Sequence, residues 1–146
     1  DVLKNIKKEI PIFIVTNQQG VGKGFMSLKT LNMINNEILQ YLEKCNIKIL
    51  KIYTCTHFES DSCNCRKPKS GMLHSIAKEF AIDLTESLFI GDSETDVMCA
   101  NSVKSKSVYF GINKIEHSPT FKAKNSIELL RILELSEVTN DADIVN

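Results

Sequence analysis

Short apolar runs alternate with longer amphipathic segments along most of the chain, and this alternation limits the folds that the sequence can adopt. The apolar runs predict strands, and the segments with apolar residues three and four positions apart predict helices. The predicted strands are residues 12–15, 49–54, 87–90 and 107–110, and the predicted helices are residues 28–45, 72–80, 94–102 and 126–135. Strands and helices in this order favour right-handed crossovers and helices on both faces of a sheet. We therefore predict an α/β fold with a doubly wound, Rossmann-type parallel sheet.

The two ends of the sequence differ from this pattern. Residues 1–9 have their apolar side chains on one side, which suits the end of a helix that Pro11 would terminate. Residues 136–146 are polar and are expected to fray. A chain of 146 residues, 42% of them hydrophobic, is long enough for one core. We predict a single domain over residues 1–135, followed by the polar tail.

The charge balance argues against two classes of partner. Eighteen basic and eighteen acidic residues give a formal net charge of zero, whereas surfaces that bind nucleic acids or anionic membranes are usually basic. No apolar run approaches the roughly 18 residues that a membrane span requires. We expect neither a nucleic acid nor a membrane as a partner, while the oligomeric state stays open.

A polar, glycine-rich loop follows the first predicted strand. Thr16 and Asn17 place a hydroxyl and an amide at the carboxyl end of that strand, where α/β folds bind ligands. Gln18, Gln19 and a segment with three glycines come next, and glycines let backbone N–H groups approach an anion. The spacing matches neither a P-loop nor a dinucleotide-binding fingerprint. An anion-binding loop and a glycine loop without a ligand both remain possible.

Three of the five cysteines lie close to a histidine. The pattern is C-x-H, five residues, then C-x-C, formed by Cys55, His57, Cys63 and Cys65. Because the number of cysteines is odd and the cluster is tight, a metal site in a reducing compartment is favoured over disulfides, and we expect a cytoplasmic protein. Four soft ligands suit a closed, structural, tetrahedral Zn²⁺ site. The alternative is a set of free thiols beside an unrelated histidine.

Acidic residues follow the third predicted strand. Asp92 and Asp96 lie four residues apart across a strand-to-helix turn. Oxygen ligands of this kind suit Mg²⁺, which binds through one or two carboxylates together with water and phosphate. Acidic residues at this position can equally well stabilise the N-terminus of the next helix. Both interpretations stay open.

Two cations come directly after the last cysteine of the cluster. A zinc-stiffened loop would hold Arg66 and Lys67 in place, one as a bidentate fork and the other as a point charge for phosphate. The alternative is a solvated basic pair.

The order of these motifs resembles the haloacid dehalogenase superfamily. The resemblance rests on Thr-Asn-Gln after a strand, the C-x-H and C-x-C loop followed by Arg-Lys-Pro, and Gly-Asp-x-x-x-Asp after a later strand. The zinc loop is similar to that of the branch that contains the heptose bisphosphate phosphatases and the histidinol-phosphate phosphatases. Residues 17–25 and 68–72 look closer to the heptose enzymes. The expected activity is Mg²⁺-dependent hydrolysis of a sugar (bis)phosphate, with histidinol-phosphate hydrolysis as the alternative.

The resemblance implies a role for each matching residue. Thr16 would hold the transferring phosphoryl group, and Lys67 would neutralise its oxygens. Substrate contacts would come from Asn17, Gln18, Gln19, Arg66 and Ser93, although Ser93 stands where the heptose enzymes commonly carry Lys. Asp92 would ligate Mg²⁺ with support from Asp96, and Zn²⁺ would be bound by Cys55, His57, Cys63 and Cys65.

The superfamily's Asp-x-Asp sequence does not precede Thr16. In that sequence the first Asp attacks phosphorus and the second acts as acid and base. The later pattern at Asp141 and Asp143 lies in the polar tail with no strand before it. We expect the strand that carries the nucleophile to be missing in front of this sequence, so that the chain alone is inactive. The alternative is a non-catalytic, zinc-stabilised binding module with the same fold.

Overall fold

Five strands and five helices form the structure, a computed structural model that describes residues 2–137. The strands are β1 (Ile12–Asn17), β2 (Ile49–Cys55), β3 (Leu88–Gly91), β4 (Lys106–Phe110) and β5 (Phe121–Ala123). The helices are α1 (Gln19–Gly22), α2 (Leu28–Lys44), α3 (Gly71–Phe80), α4 (Glu94–Ser102) and α5 (Ser126–Leu135). Short 3-10 helices span Val2–Asn5, Glu59–Asp61 and Leu84–Glu86. Among the helices of the described residues, none combines the length and apolar composition needed to cross a bilayer.

Most of the predicted elements are confirmed. Helices α4 and α5 have the predicted bounds, and each predicted strand is present within two residues of its expected ends. The long helix α2 begins at the predicted residue, because the Ser27 hydroxyl caps it and accepts a hydrogen bond of 3.0 Å from the backbone N–H of Thr30.

Three segments differ from the sequence-based predictions. Among the described residues 2–9, the 3-10 helix Val2–Asn5 stands where the end of a helix is predicted, and the glycine-rich loop contains the one-turn helix α1. Strand β5 was not predicted, since three residues carry too little periodicity, and its pairing with β4 defines it. Residues 138–146, which hold most of the predicted polar tail, lie outside the described residues.

All strand pairs are parallel, as predicted, but they form two sheets. One sheet has the order β1-β2 and the other has the order β3-β4-β5. Within the described residues, β1 and β3 are not paired with each other. A cavity of about 430 Å³ separates them and is lined by Phe13 and Val15 from β1 and by Leu88 and Phe89 from β3.

Helices cover both faces of the larger sheet. Successive residues of a strand face opposite sides, so Leu88 and Phe89 belong to different cores. Leu88 packs against a cluster that includes Val108 of β4 and Leu133 of α5. Phe89 packs against a cluster that contains Cys99 of α4 together with side chains of α3. This layering leaves the carboxyl ends of the strands to form the candidate site.

Truncation of Leu133 is expected to destabilise the protein. Leu133 is 1% exposed, and Leu133→Ala should lower the free energy of unfolding by about 2–5 kcal/mol, because it removes apolar contacts and leaves a cavity. Chemical denaturation measures the change. The matched control is Leu135→Ala on the same helix, where the side chain is 80% exposed and the change should stay within about 0.5 kcal/mol. Equal losses for the two variants would contradict this packing.

Candidate active site and metal centre

Polar side chains lie at the carboxyl end of β1. The parallel register places Thr16 opposite Thr54 and Asn17 opposite Cys55. The Thr16 hydroxyl accepts a hydrogen bond of 3.1 Å from Gln18 Nε2. The backbone N–H of Gln18 donates to the carbonyl of Cys55 at 2.7 Å. Thr16 is therefore held in place by the residues that follow it.

Lys67 lies on the loop after the cysteine cluster and reaches back to β1. Its main chain forms two hydrogen bonds with the side chain of Asn17, each 3.1 Å long. Its Nζ donates to the carbonyl of Val15 at 3.2 Å and contacts Asp96 Oδ1 at 2.6 Å as an ion pair. The side chains of Lys67 and Asp96 are largely buried, which strengthens their attraction.

The turn between β3 and α4 fixes Asp96. Asp96 Oδ2 accepts hydrogen bonds from the backbone N–H of Ser93 at 3.1 Å and from the Ser93 hydroxyl at 2.6 Å. The Ser93 hydroxyl also accepts a hydrogen bond from the backbone N–H of Asp96, which completes a capping box. Gly91 is required here, because a Cβ at that position would overlap the carboxylate of Asp96. The capping interpretation is thus confirmed for Asp96.

The polar residues at the ends of β1 and β3 line a common cavity of about 510 Å³. Its lining includes Thr16, Lys67, Asp92 and Asp96, with apolar side chains from β1 and β3. Asp92 is exposed at the end of β3. The structure therefore places a hydroxyl, an ammonium group and a carboxylate around one cavity, and this donor set fits a phosphate with a Mg²⁺ ion.

The remaining residues predicted to contact substrate have different surroundings. Gln19 begins α1, next to the Thr16 edge. Arg66 is half-buried, and its guanidinium lies 3.5 Å from the carbonyl of His57. The Ser93 hydroxyl is hydrogen-bonded to the backbone N–H of Asp96 in the cap of α4 and to the Thr95 hydroxyl. The substrate contacts of these three residues stay predictions.

The four predicted zinc ligands form one cluster. Their ligand atoms all lie within 4.8 Å of one another. The distances between Sγ atoms are 3.7 Å for Cys55 and Cys63, 3.2 Å for Cys55 and Cys65, and 3.5 Å for Cys63 and Cys65. His57 Nδ1 lies 3.2 Å from Cys65 Sγ. A tetrahedral Zn²⁺ with bonds of about 2.3 Å to sulfur needs edges of about 3.8 Å, so the cluster fits this ion with small adjustments.

Two elements bring the ligands together. Cys55 is the last residue of β2 and is fully buried, whereas Cys63 and Cys65 lie on the loop that leads to α3. That loop packs tightly on the helix, because the N–H of Gly71 donates to the carbonyl of Asn64 at 2.9 Å and a Cβ on Gly71 would clash with the same carbonyl.

The thiols of the cluster differ in acidity. Desolvation opposes ionisation of Cys63, but hydrogen bonds from the backbone of Arg66 and from the neighbouring thiols lower its pKa to about 7. Burial, with hydrogen bonds to the other thiols, raises the pKa of Cys65 to about 12. Ionisation of one thiol therefore opposes ionisation of the next, and a bound cation would remove this penalty. By contrast, Cys99 lies in the core outside this cluster, where burial raises its pKa to about 11.

One contact near the site was missed from the sequence. Glu94 Oε1 accepts hydrogen bonds from the backbone N–H groups of Glu116 at 2.8 Å and His117 at 2.9 Å, and it contacts His117 Nδ1 at 2.7 Å. The hydrogen bond from the His117 side chain is the main cause that lowers the pKa of Glu94. These bonds tie the loop after β4 to the first turn of α4. Because the partners are more than 20 residues apart, no local sequence pattern predicts these hydrogen bonds.

Parallel strands are covered by helices, and the polar residues are gathered at the carboxyl ends of β1 and β3; this α/β fold is similar to that of haloacid dehalogenase-like phosphatases, as predicted. The fold is similar to a crystal structure of D,D-heptose 1,7-bisphosphate phosphatase from B. bronchiseptica complexed with magnesium and phosphate. The TM-score is 0.74 and the identity is 24%, over 86% of this chain and 74% of that chain. The chain belongs to the polynucleotide kinase 3 phosphatase family, whose model matches residues 1–116.

Two curated relatives extend this comparison. The histidine biosynthesis bifunctional protein HisB of Blochmanniella floridana is 31% identical over 147 residues, which are 97% of this chain and 39% of that protein. The D-glycero-alpha-D-manno-heptose-1,7-bisphosphate 7-phosphatase of Campylobacter jejuni is 42% identical over 86 residues, which are 59% of this chain and 49% of that protein. The matched segments thus cover less than half the length of these two relatives.

We expect the purified protein to hold one Zn²⁺ per chain and Cys65→Ser to lose it, because the variant removes one of four ligands. Elemental analysis after exhaustive dialysis measures the metal content. The control is Cys45→Ser, which changes a half-buried cysteine outside the cluster and should retain zinc. A wild-type protein without zinc after growth in zinc-replete medium would contradict the site.

Proposed function

We propose that this sequence forms the phosphate-binding and metal-binding part of a magnesium-dependent phosphatase that acts on a sugar (bis)phosphate. The observation that carries the proposal is the cavity of about 510 Å³ around which Thr16, Lys67 and Asp92 are gathered. Enzymatic phosphoryl transfer depends mainly on positioning and on neutralising charge. A hydroxyl, an ammonium group and a carboxylate suited to Mg²⁺ meet both requirements.

Thr16 and Lys67 would bind the phosphoryl group directly. The Thr16 hydroxyl accepts a hydrogen bond from Gln18, so its own hydrogen is available for a phosphoryl oxygen. A lysine ammonium has three hydrogens. Two of them are directed to the Val15 carbonyl and to Asp96, and the third would neutralise a phosphoryl oxygen.

Asp92 would hold the Mg²⁺ ion, with Asp96 in a supporting role. Asp92 is exposed on the cavity, whereas both oxygens of Asp96 already contact Lys67 or Ser93. When bound, Mg²⁺ would neutralise charge on the transferred phosphoryl group. Asp96 would then act through Lys67 by holding the ammonium in the cavity.

The attacking carboxylate would come from a strand outside these 146 residues. The support is the apolar cavity between β1 and β3, which are not paired with each other in the described residues. A strand that entered there parallel to both would end beside Lys67, where its terminal side chains would reach the phosphoryl group. The chain by itself would then bind phosphate without hydrolysing an ester.

Two substrates are supported to different degrees. The heptose bisphosphate is favoured by the relative with 42% identity. Histidinol phosphate is the second candidate, because the match to the bifunctional histidine biosynthesis protein covers 97% of this chain. A cytoplasmic location is part of the same proposal, since none of the five cysteines forms a disulfide in the described residues.

The test uses the full-length protein, meaning this sequence together with the proposed strand that carries the attacking carboxylate. Phosphate release with Mg²⁺ is measured on D-glycero-D-manno-heptose 1,7-bisphosphate and on histidinol phosphate. We expect a higher kcat/KM for the heptose bisphosphate. Lys67→Met should lower kcat about 10²- to 10³-fold, as expected when one group that stabilises transition-state charge is removed.

The matched control is Lys78→Met, a change of an exposed lysine on α3, which should leave kcat unchanged. A higher kcat/KM for histidinol phosphate would support the second candidate. An active enzyme in which Lys67→Met retains full activity would overturn the assignment of the site.

A further inference from the structure

The side chain of Asn17 forms a reciprocal pair of hydrogen bonds with one distant residue. Asn17 Oδ1 accepts the backbone N–H of Lys67 at 3.1 Å, and Asn17 Nδ2 donates to the carbonyl of Lys67 at 3.1 Å. The two residues are 50 positions apart in the sequence. This arrangement copies the exchange of two bonds that pairs residues in a sheet. It attaches the loop residue Lys67 to the end of β1 as a strand neighbour would.

The pair controls where the Lys67 side chain begins. Loops move more than the elements that they connect unless something ties them down. Because the main chain of Lys67 is fixed on both sides of its Cα, its side chain extends from a defined backbone position to the contacts of the ammonium group with Val15 and Asp96. Without Asn17, the main chain of Lys67 would be placed only indirectly, by the cysteine cluster before it and by the hydrogen bond between Gly71 and Asn64.

Asn17 also connects the cysteine cluster to the cavity. In the β1–β2 register Asn17 lies opposite Cys55, and Cys65 precedes Lys67 by two residues. Asn17 is therefore paired in register with one cysteine of the cluster and hydrogen-bonded to a residue that closely follows another. Each polar atom of its amide has a partner in Lys67, so the contact that the geometry supports for this side chain is with the main chain of Lys67.

We propose that Asn17 is a positioning residue, which fixes the main chain of Lys67 and thereby places the ammonium for the phosphoryl group. The inference rests on the proposed function and replaces the direct substrate contact predicted for Asn17. Asn17→Ala removes both hydrogen bonds and keeps the ligands of the cysteine cluster. A misplacement of about 1 Å at a reacting group can cost about 10²-fold in rate. We therefore expect a tenfold to hundredfold lower kcat with little change in KM.

The test combines two measurements on the full-length protein. The first is hydrogen exchange of the Lys67 amide, followed by NMR in the wild type, in Asn17→Ala and in the control Asn36→Ala, an exposed change on α2. We expect at least tenfold faster exchange at Lys67 in Asn17→Ala and none of this change in the control. The second is the separation of kcat from KM in the same three proteins, with zinc content confirmed for each.

Asn17→Asp keeps the protein testable if Asn17→Ala fails to fold, since Asp has the same size. It retains an acceptor for the Lys67 N–H but places an acceptor against the Lys67 carbonyl, so kcat should fall while the Lys67 amide stays protected. A raised KM with unchanged kcat, or unchanged Lys67 exchange in Asn17→Ala, would overturn the proposal. Hydrogen exchange of the Lys67 amide does not depend on turnover. If the full-length protein were inactive, the proposed function would be contradicted, but the exchange rates would still show whether Asn17 fixes the main chain of Lys67.

Discussion

The buried ion pair between Lys67 and Asp96 is the interaction on which the candidate site depends. Its atoms lie 2.6 Å apart, and the two side chains are 13% and 6% exposed. Removing one partner of a buried pair leaves an uncompensated charge and costs about 3–5 kcal/mol in proteins. Lys67 also donates to the Val15 carbonyl in β1, whereas Asp96 belongs to α4, which follows β3. The pair therefore links two sheets that are not paired with each other in the described residues.

Each partner of that pair is placed by its own local structure. Asp96 is held by the capping box with Ser93 and fits because Gly91 has no side chain. Lys67 is held at its main chain by Asn17 and follows directly on the loop of the cysteine cluster. Asp96 can cap α4 and pair with Lys67 at the same time, because one of its oxygens contacts Ser93 and the other contacts Lys67.

The sequence predicts the features whose signals are local. Helices α2 and α5 each have a capping side chain and a clear apolar period, and the cysteine cluster is recognisable from side-chain types alone. Other features depend on partners far along the chain. The contact between Asn17 and Lys67 spans 50 residues, and β5 exists through its pairing with β4. The division into two sheets depends on packing that no periodicity describes.

A crystal structure of the protein with bound phosphate, recorded also at the zinc absorption edge, would test the candidate site and the cysteine cluster together. We expect one anomalous peak within about 2.0–2.3 Å of the ligand atoms of Cys55, His57, Cys63 and Cys65. We also expect a phosphate oxygen within hydrogen-bond distance of Lys67 Nζ and the Thr16 hydroxyl, with Asn17 still bonded to the main chain of Lys67. Phosphate bound elsewhere, with Lys67 turned away from the cavity, would contradict the assignment of the site.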